Sequence, residues 1–168
     1  LIHYIMTNIP HATPTDIPLI RSLALPTFSN TYRSILSAEQ LDYMLDMMYS
    51  EESLHRQFAE GHHYLLAFVD DEAVGYVSYN REAALLYHLQ KIYVLPSRQG
   101  EGIGKCLFDA ACAAVAAECP GASIELNVNR NNPALHFYER MGMTRLRSGD
   151  FDIGNGFFMN DYIMGLRL

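Results

Sequence analysis

A glycine-rich stretch between two regular segments carries the clearest chemical signal in this sequence. The stretch reads Gln99-Gly100-Glu101-Gly102-Ile103-Gly104 and follows the apolar run 89–95, which predicts a buried strand. Apolar and small residues then recur at helical spacing, at Ile103, Leu107, Ala110, Ala114 and Ala117. Glycine lets the main chain approach a ligand closely, and the first turn of a helix has N–H groups without partners. The order of strand, glycine loop and helix start therefore predicts a phosphate site.

The spacing of the glycines excludes two common phosphate loops. A Walker A loop has four residues between its glycines and ends in Lys-Ser or Lys-Thr. Here three residues separate Gly100 from Gly104, and Lys105 is followed by a cysteine. The dinucleotide fingerprint would require a glycine at position 105. The pattern that fits is Gln99-x-x-Gly102-x-Gly104, directly after a strand and at the start of a helix.

A second block lies downstream, in residues 126–143. It combines a strand pattern, an asparagine-containing turn, a helical segment with Phe137-Tyr138, and a closing Gly142-Met143. The two blocks together resemble the Gcn5-related N-acetyltransferases, the GNAT superfamily. The first is similar to that family's acetyl-CoA pyrophosphate loop and the second to its strand, turn and Phe-Tyr helix. Met143 replaces the phenylalanine that closes the family's pattern, and the resemblance covers 89–143, about a third of the chain.

The resemblance implies a fold of the α/β (α+β) class, the GNAT fold. We expect a single mixed, mostly antiparallel twisted sheet of six or seven strands, with four or five helices on both faces. A chain of 168 residues is long enough for one domain with its own core, so residues 1–168 are expected to form a single GNAT domain.

The local patterns predict the elements of that domain in order. Strands are predicted at 6–12, 64–69, 73–79, 85–95, 123–128, 144–151 and 157–168. Helices are predicted to begin near Pro14 and Ala38 and to cover 51–60, 103–117 and 133–141. We also expect a break in the chain over 26–32, a turn at 80–82, and a bulge or close main-chain approach at Gly75.

The resemblance also assigns cofactor contacts to particular positions. Main-chain N–H groups of Gln99, Gly100, Glu101, Gly102, Ile103, Gly104 and Lys105 are expected to hold the pyrophosphate of acetyl-CoA. The strand segment Ile92, Tyr93 and Val94 is expected to separate from its neighbour and pair with the pantetheine arm, with an N–H near Val94 facing the thioester oxygen. Asn132 matches the family's cofactor-binding asparagine, with Asn131 as the alternative.

Acetyl transfer from a thioester to an amine needs a proton donor for the thiolate and a neutral amine. Tyr138 matches the family's proton-donating tyrosine, and a phenol suits a thiol leaving group of similar basicity. The base is less defined, because Asn127 occupies the place where some family members carry a glutamate, and an amide cannot take a proton. Other members carry a glutamate before the pantetheine strand, where this chain has His88 and Gln90. His88 is the candidate base, with a water relay or deprotonation in bulk solvent as alternatives.

Composition narrows the class of protein. The hydrophobic content of 49% and charged content of 18% are typical of a globular domain, and the net charge of −7 argues against a nucleic-acid partner. No apolar run approaches the length of a membrane span, and residues 1–4 lack the basic start of a signal peptide. Three cysteines in one predicted helical region indicate reduced thiols and a cytoplasmic location, and no metal ligand set is expected.

The expected function is therefore transfer of an acetyl group from acetyl-CoA to a primary amine of a small molecule, by direct attack in a ternary complex. Segments 151–164 and 29–32 and the helix after Ser37 are also similar, more loosely, to bacterial spermine/spermidine-type acetyltransferases, which makes a polyamine a candidate acceptor. The alternatives are acetylation of a protein N-terminus or lysine, and a CoA-binding sensor without turnover. The resemblance is compatible with a homodimer, which the sequence does not decide.

Overall fold

The computed structural model describes residues 7–168, which form one seven-stranded sheet with five α-helices. The strands are β1 Thr7–Asn8, β2 His63–Val69, β3 Glu72–Ala83, β4 Leu86–Val94, β5 Ser123–Asn129, β6 Thr144–Gly154 and β7 Phe157–Arg167. The helices are α1 Ile17–Tyr32, α2 Ala38–Tyr49, α3 Glu51–Ala59, α4 Ile103–Glu118 and α5 Ala134–Arg140. The sheet order is β1-β2-β3-β4-β5-β7-β6, and only the β4–β5 pair is parallel. The predicted fold class is confirmed.

Helices cover both faces of the sheet and divide the core into two clusters. On one face α4 and α5 pack on the strands through residues such as Leu107, Val115 and Leu135. On the other face α1, α2 and α3 contribute residues such as Ile20, Phe28 and Leu54. In β2, alternate residues enter opposite clusters, Tyr64 and Leu66 on one face and Leu65 and Ala67 on the other, as the period of two in a strand requires. No helix within residues 7–168 has the length and apolar character needed to cross a membrane.

The predicted break over 26–32 is wrong, because α1 continues through Pro26 to Tyr32. A proline inside a helix removes one main-chain hydrogen bond, but here its ring is exposed. Buried residues lie on both sides of it, among them Ala24, Thr27 and Phe28. The burial of this face offsets the lost bond, so packing decides the length of the helix.

Two strand boundaries also differ from the sequence prediction. The turn expected at 80–82 lies inside β3, which continues to Ala83 and pairs there with Leu86 of β4. The first strand is shorter than the predicted 6–12, since β1 covers only Thr7–Asn8 and His11 then forms a single bridge to Leu65. Met6, the first residue of that prediction, lies outside the described residues. The hairpin predicted around 154–156 is confirmed, with Asn155 in a left-handed conformation.

The cleft of the molecule exists because β4 and β5 pair only at their beginnings. Their parallel pairing runs from Leu86↔Ser123 to His88↔Glu125 and ends there. Beyond His88 the two strands separate, while β4 stays paired with β3 as far as Gly75↔Val94. Gly75 lies so close to β4 that a Cβ on it would lie 2.7 Å from the Tyr93 carbonyl oxygen, which confirms the predicted close approach. The edge of β4 that faces β5 is therefore left open along residues 90–94.

Candidate active site

A cleft of about 760 Å³ fills the space between the separated strands. The glycine loop and the start of α4 form one wall, the end of α1 forms another, and the turn into α5 forms a third. Most residues predicted to bind the cofactor line this cleft, namely Ile92, Tyr93, Val94, Gln99, Gly100, Gly102, Ile103, Gly104, Lys105 and Asn132. Tyr138 and the alternative Asn131 line it as well. The tertiary structure thus brings the two sequence blocks together around one cavity.

The glycine loop presents main-chain donors to the cleft. Gly100 and Gly102 have φ values of +83° and +79°, a left-handed conformation that other residues adopt only with strain. Gly102 is the N-cap of α4, and the first intrahelical bond joins the Cys106 N–H to the Gly102 carbonyl at 3.1 Å. The N–H groups of Ile103, Gly104 and Lys105 precede that bond and have no carbonyl within the helix to reach. These three groups and the helix dipole favour an anion at this position.

The charged side chains that line the cleft are all cationic. They are Lys91, Arg98, Lys105 and Arg140, and no Asp or Glu from the described part of the chain joins them. This local excess of positive charge contrasts with the net charge of −7 of the whole chain. Arg98 is held by Glu101 at 2.8 Å and by Glu72 at 3.5 Å, which fixes its position at the mouth of the loop. A ligand that carries several phosphates matches such a lining.

Tyr138 is positioned by α5 and is 8% exposed. Burial is the main cause that raises its pKa far above the ordinary value of a tyrosine, and the neighbouring Tyr32 is the second cause. The hydroxyl group therefore keeps its proton at physiological pH. A phenol that is protonated and borders the cleft is a suitable proton donor for a thiolate.

The turn between β5 and α5 is held together by asparagine side chains. Asn132 accepts a hydrogen bond from the Ala134 N–H through Oδ1 at 2.9 Å, and its Nδ2 points to the Tyr32 hydroxyl at 3.4 Å. Asn129 likewise accepts a bond from the Asn131 N–H at 2.9 Å. Asn132 is 7% exposed, so it contributes to the cleft mainly by fixing the start of α5 and with it Tyr138.

Comparison with known proteins identifies the family. The family model described as an acetyltransferase (GNAT) domain matches residues 33–163. The chain belongs to the GNAT family. It is accordingly an acetyl-CoA-dependent acyltransferase, as the sequence predicted.

Individual relatives agree with this assignment. A curated protein of Lactobacillus delbrueckii subsp. lactis, described as an uncharacterized N-acetyltransferase in the pepI 3' region, is 26% identical over 157 residues, covering 88% of this chain and 90% of that protein. The structure is similar to PaiA N-acetyltransferase from Thermoplasma acidophilum in complex with coenzyme A, with a TM-score of 0.81, 23% identity, and coverage of 98% and 100% of the two chains.

The structure is also similar to the spermidine/spermine N-acetyltransferase SpeG from Vibrio cholerae, solved in complex with manganese ions. That likeness has a TM-score of 0.67, 18% identity, and coverage of 96% of this chain and 92% of SpeG. At such identity a structural likeness shows the fold alone. The looser resemblance to spermine/spermidine-type enzymes is therefore not established by it.

In this GNAT enzyme the cleft has two ends with different chemistry. We call the end formed by the glycine loop, the start of α4 and Arg140 the donor end, because it carries the anion-binding groups. We call the end formed by the last turn of α1, the middle of β5 and Lys91 the acceptor end. Polar uncharged residues line the acceptor end, including Asn30, Ser34, Gln90 and Asn127.

Two predicted residues do not reach the cleft lining. The Glu101 side chain pairs with Arg98, which itself lines the cleft, and the expected contact of the Glu101 main-chain N–H stays a prediction. His88 lies where β4 is still paired with β5, and its Nδ1 is 3.4 Å from a carboxylate oxygen of Glu82. Burial lowers the pKa of His88, although Glu82 and Glu125 oppose that effect. Since the strands separate only beyond His88, this histidine does not face the cavity, and the geometry gives no support to its prediction as the base.

The structure adds a residue that the sequence reading missed. Lys91 lines the acceptor end but is only 5% exposed. Its ammonium group donates to the Met48 carbonyl at 3.0 Å, Gln57 Oε1 at 2.9 Å and the Tyr64 hydroxyl at 2.6 Å, and it lies 4.2 Å from the centre of the Tyr49 ring. The sequence did contain a signal for a buried charge, because Lys91 lies within a predicted apolar strand. A charge at such a position needs buried partners.

Proposed function

We propose that this GNAT enzyme transfers the acetyl group of acetyl-CoA directly to the primary amine of a small molecule, in a ternary complex. The observation that carries the proposal is the cleft itself. An open edge of β4, a helix start with free N–H groups and four cationic side chains border one continuous cavity. Acetyl-CoA supplies the activated thioester when it is bound there.

The residues of the donor end fit the parts of that cosubstrate. The N–H groups of Ile103 to Lys105, with Arg98 and Arg140 nearby, would hold the phosphates. The open main chain of Ile92 to Val94 would pair with the amide groups of the pantetheine arm, as one strand pairs with another. This arrangement would place the thioester between the separated strands, where Tyr138 borders the cleft.

The proton balance of the transfer assigns a role to Tyr138. The nitrogen lone pair of a neutral amine attacks the thioester carbonyl carbon, the C–N bond forms and the C–S bond breaks. Tyr138 would give its proton to the departing thiolate, and the new amide nitrogen would release its extra proton to solvent. The raised pKa of the buried phenol favours return of the proton to Tyr138 before the next turnover.

A small acceptor is favoured over a folded protein by the way α2 contacts the β6–β7 hairpin. Gln40 Nε2 donates to the Phe158 carbonyl at 2.8 Å, and the Tyr43 hydroxyl donates to the Ile153 carbonyl at 2.8 Å. These bonds join α2 directly to the hairpin, so no open groove for an extended peptide is left between them. Polyamines are the first small amines to test because they carry primary amines.

The proposal is tested by separating cofactor binding from turnover. We expect coenzyme A to raise the melting temperature, and the protein to release thiol from acetyl-CoA when spermidine or another small primary amine is added. Tyr138→Phe should lower kcat by about 100-fold while the Kd for coenzyme A changes by less than about twofold.

The matched control is Tyr87→Phe, which removes a buried hydroxyl that has no hydrogen-bond partner among residues 7–168 and does not line the cleft. It should leave kcat unchanged. A wild-type protein without a thermal shift from coenzyme A would refute the donor site. Thiol release with a Lys- or N-terminal-peptide panel but not with small amines would refute the acceptor class.

A further inference from the structure

A buried carboxylate lies beside the acceptor end of the cleft. Asp161 of β7 is directly opposite Asn129 of β5 and is 5% exposed. Asn127, two residues along β5, projects from the same face of the sheet and lines the cleft. Its Nδ2 donates to Asp161 Oδ2 at 3.3 Å. Asp161 is therefore connected to the cavity through Asn127.

Asp161 is incompletely satisfied by the rest of the protein. Its Oδ1 is buried and makes no hydrogen bond to any residue from 7 to 168. The ion pairs found in that part of the chain do not include it. Arg130, the cation whose field reaches it, pairs with Asp150 and the Gly149 carbonyl instead. Burial raises the pKa of Asp161, and Asn127 and Arg130 oppose this. A buried carboxylate oxygen without a partner costs free energy, so its retention needs a reason.

The contact between the two side chains determines which way the Asn127 amide points. A carboxylate only accepts hydrogen bonds, so the amide nitrogen must face Asp161. The amide oxygen of Asn127, on an exposed side chain that borders the cleft, is then the atom free to accept a hydrogen bond from a ligand. A negative charge behind that oxygen strengthens its attraction for a positively charged donor.

We propose that Asn127 and Asp161 form the subsite that recognises the cationic amino group of the acceptor. Asn127 Oδ1 accepts a hydrogen bond from the ammonium group as it enters the cleft, and that group releases one proton to solvent before its nitrogen attacks the thioester. Asp161 acts through Asn127 as a positioning residue that orients the amide and supplies the negative charge. The inference rests on the proposed function, and it names the substrate class as alkylamines that are protonated in solution.

The test compares acceptors that differ in charge but not in reaction. An alkylamine such as spermidine is protonated at neutral pH, whereas an arylamine such as 4-methoxyaniline is neutral. Asp161→Asn removes the charge and the constraint on the Asn127 amide with little change in shape. We expect it to raise KM for spermidine by at least about tenfold, with kcat within about threefold and KM for the arylamine within about twofold.

Two further variants make the result interpretable. Asn127→Ala changes an exposed side chain and should reproduce the selective rise in KM, and combined with Asp161→Asn it should add little, because both remove one subsite. Asp152→Asn is the matched control, since it removes the same charge from an exposed position on the neighbouring strand. It should leave both acceptors unaffected. If Asp161→Asn does not fold, as circular dichroism would show, Asn127→Ala alone decides the matter.

Failure of the proposed function and failure of the subsite would give different experimental results. Wild-type protein that does not bind coenzyme A in calorimetry refutes the proposed function. Protein that binds coenzyme A and acetylates the arylamine, but acetylates no alkylamine, refutes the subsite. Equal changes for both acceptors in Asp161→Asn and Asn127→Ala, or no change in either, also refute it.

Discussion

The donor and acceptor ends of the cleft are built in different ways. The donor end comes largely from one continuous segment, from Ile92 through Lys105, and it works through main-chain groups and exposed cations. The acceptor end is assembled from α1, β4 and β5, and its contacts join residues far apart in the chain, such as Lys91 with Met48, which are 43 positions apart. The proposed cosubstrate site is thus built from local sequence, and the proposed amine site depends on long-range packing.

Two buried charged residues near the acceptor end differ in how many hydrogen-bond partners the protein gives them. Lys91 donates three hydrogen bonds and lies over the Tyr49 ring, so its ammonium group is fully satisfied. It joins the end of α2 and the middle of α3 to the sheet. Asp161 has one buried oxygen without a partner in the described chain. The Lys91 ammonium group thus finds its acceptors within the protein, whereas Asp161 keeps one oxygen without a donor among residues 7–168.

A substitution of Gly102 should have the strongest effect of those predicted, and it should weaken binding at the donor end alone. Gly102→Val introduces a β-branched side chain at a φ of +79° and into the space above the N–H groups of α4. We expect the Kd for coenzyme A to rise at least about 30-fold, measured by calorimetry. The strain should also lower the free energy of unfolding by about 1–2 kcal/mol.

Gly121→Val is the control for that strain. Gly121 has a φ of +82°, has open space around it and does not line the cleft. It should lose similar stability with no change in the Kd for coenzyme A. Equal loss of binding in both variants would mean that the glycine loop does not contact the cosubstrate.

The next prediction concerns the pH dependence that Lys91 gives to stability. Burial lowers the pKa of Lys91 from 10.5 to about 7. Below pH 7 both the folded and the unfolded chain hold this proton, and the cost of burying the charge is complete. Between pH 7 and 10.5 the unfolded chain binds more protons, so stability rises with pH. Relative to Lys91→Met, the free energy of unfolding of the wild type should rise by about 1 kcal/mol per pH unit over this range.

Urea denaturation at several pH values measures that difference directly. Glu60→Gln, at an exposed position, is a suitable control and should keep the wild-type slope. Parallel curves for wild type and Lys91→Met would mean that Lys91 stays charged in the folded protein. Its three hydrogen bonds would then outweigh its desolvation.

The smallest expected effect concerns the cations of the donor end. Arg140→Gln should weaken coenzyme A binding by roughly two- to fivefold, because a partly exposed charge contributes about 0.5–1 kcal/mol. The loss should shrink as salt is added. Arg145→Gln is the matched control, since Arg145 pairs with Glu139 and does not line the cleft. A larger loss from Arg145→Gln than from Arg140→Gln would contradict the assignment of the donor end.

Local patterns predicted most elements well but not all of their limits. The glycine loop, α4 and the Phe137-Tyr138 helix were recognisable because glycine, capping and helical periodicity act over a few residues. The break at Pro26 was a wrong prediction because the local cost of a proline was outweighed by the burial of Ala24, Thr27 and Phe28. The turn at 80–82 was misplaced because cross-strand pairing extended β3 beyond it.

The amino-acid sequence was enough to predict the family, the fold class and the segment that forms the donor end, because these depend on short-range spacing of glycine, apolar residues and helix starts. The folded chain was needed to show where β4 and β5 separate, and therefore that His88 lies outside the cleft while Lys91 and Asn127 line it. It was also needed to show that Asp161 is buried and that one of its oxygens has no partner among residues 7–168. The burial of a residue depends on the side chains packed around it in the fold. Many of these come from distant segments, which no local sequence pattern specifies.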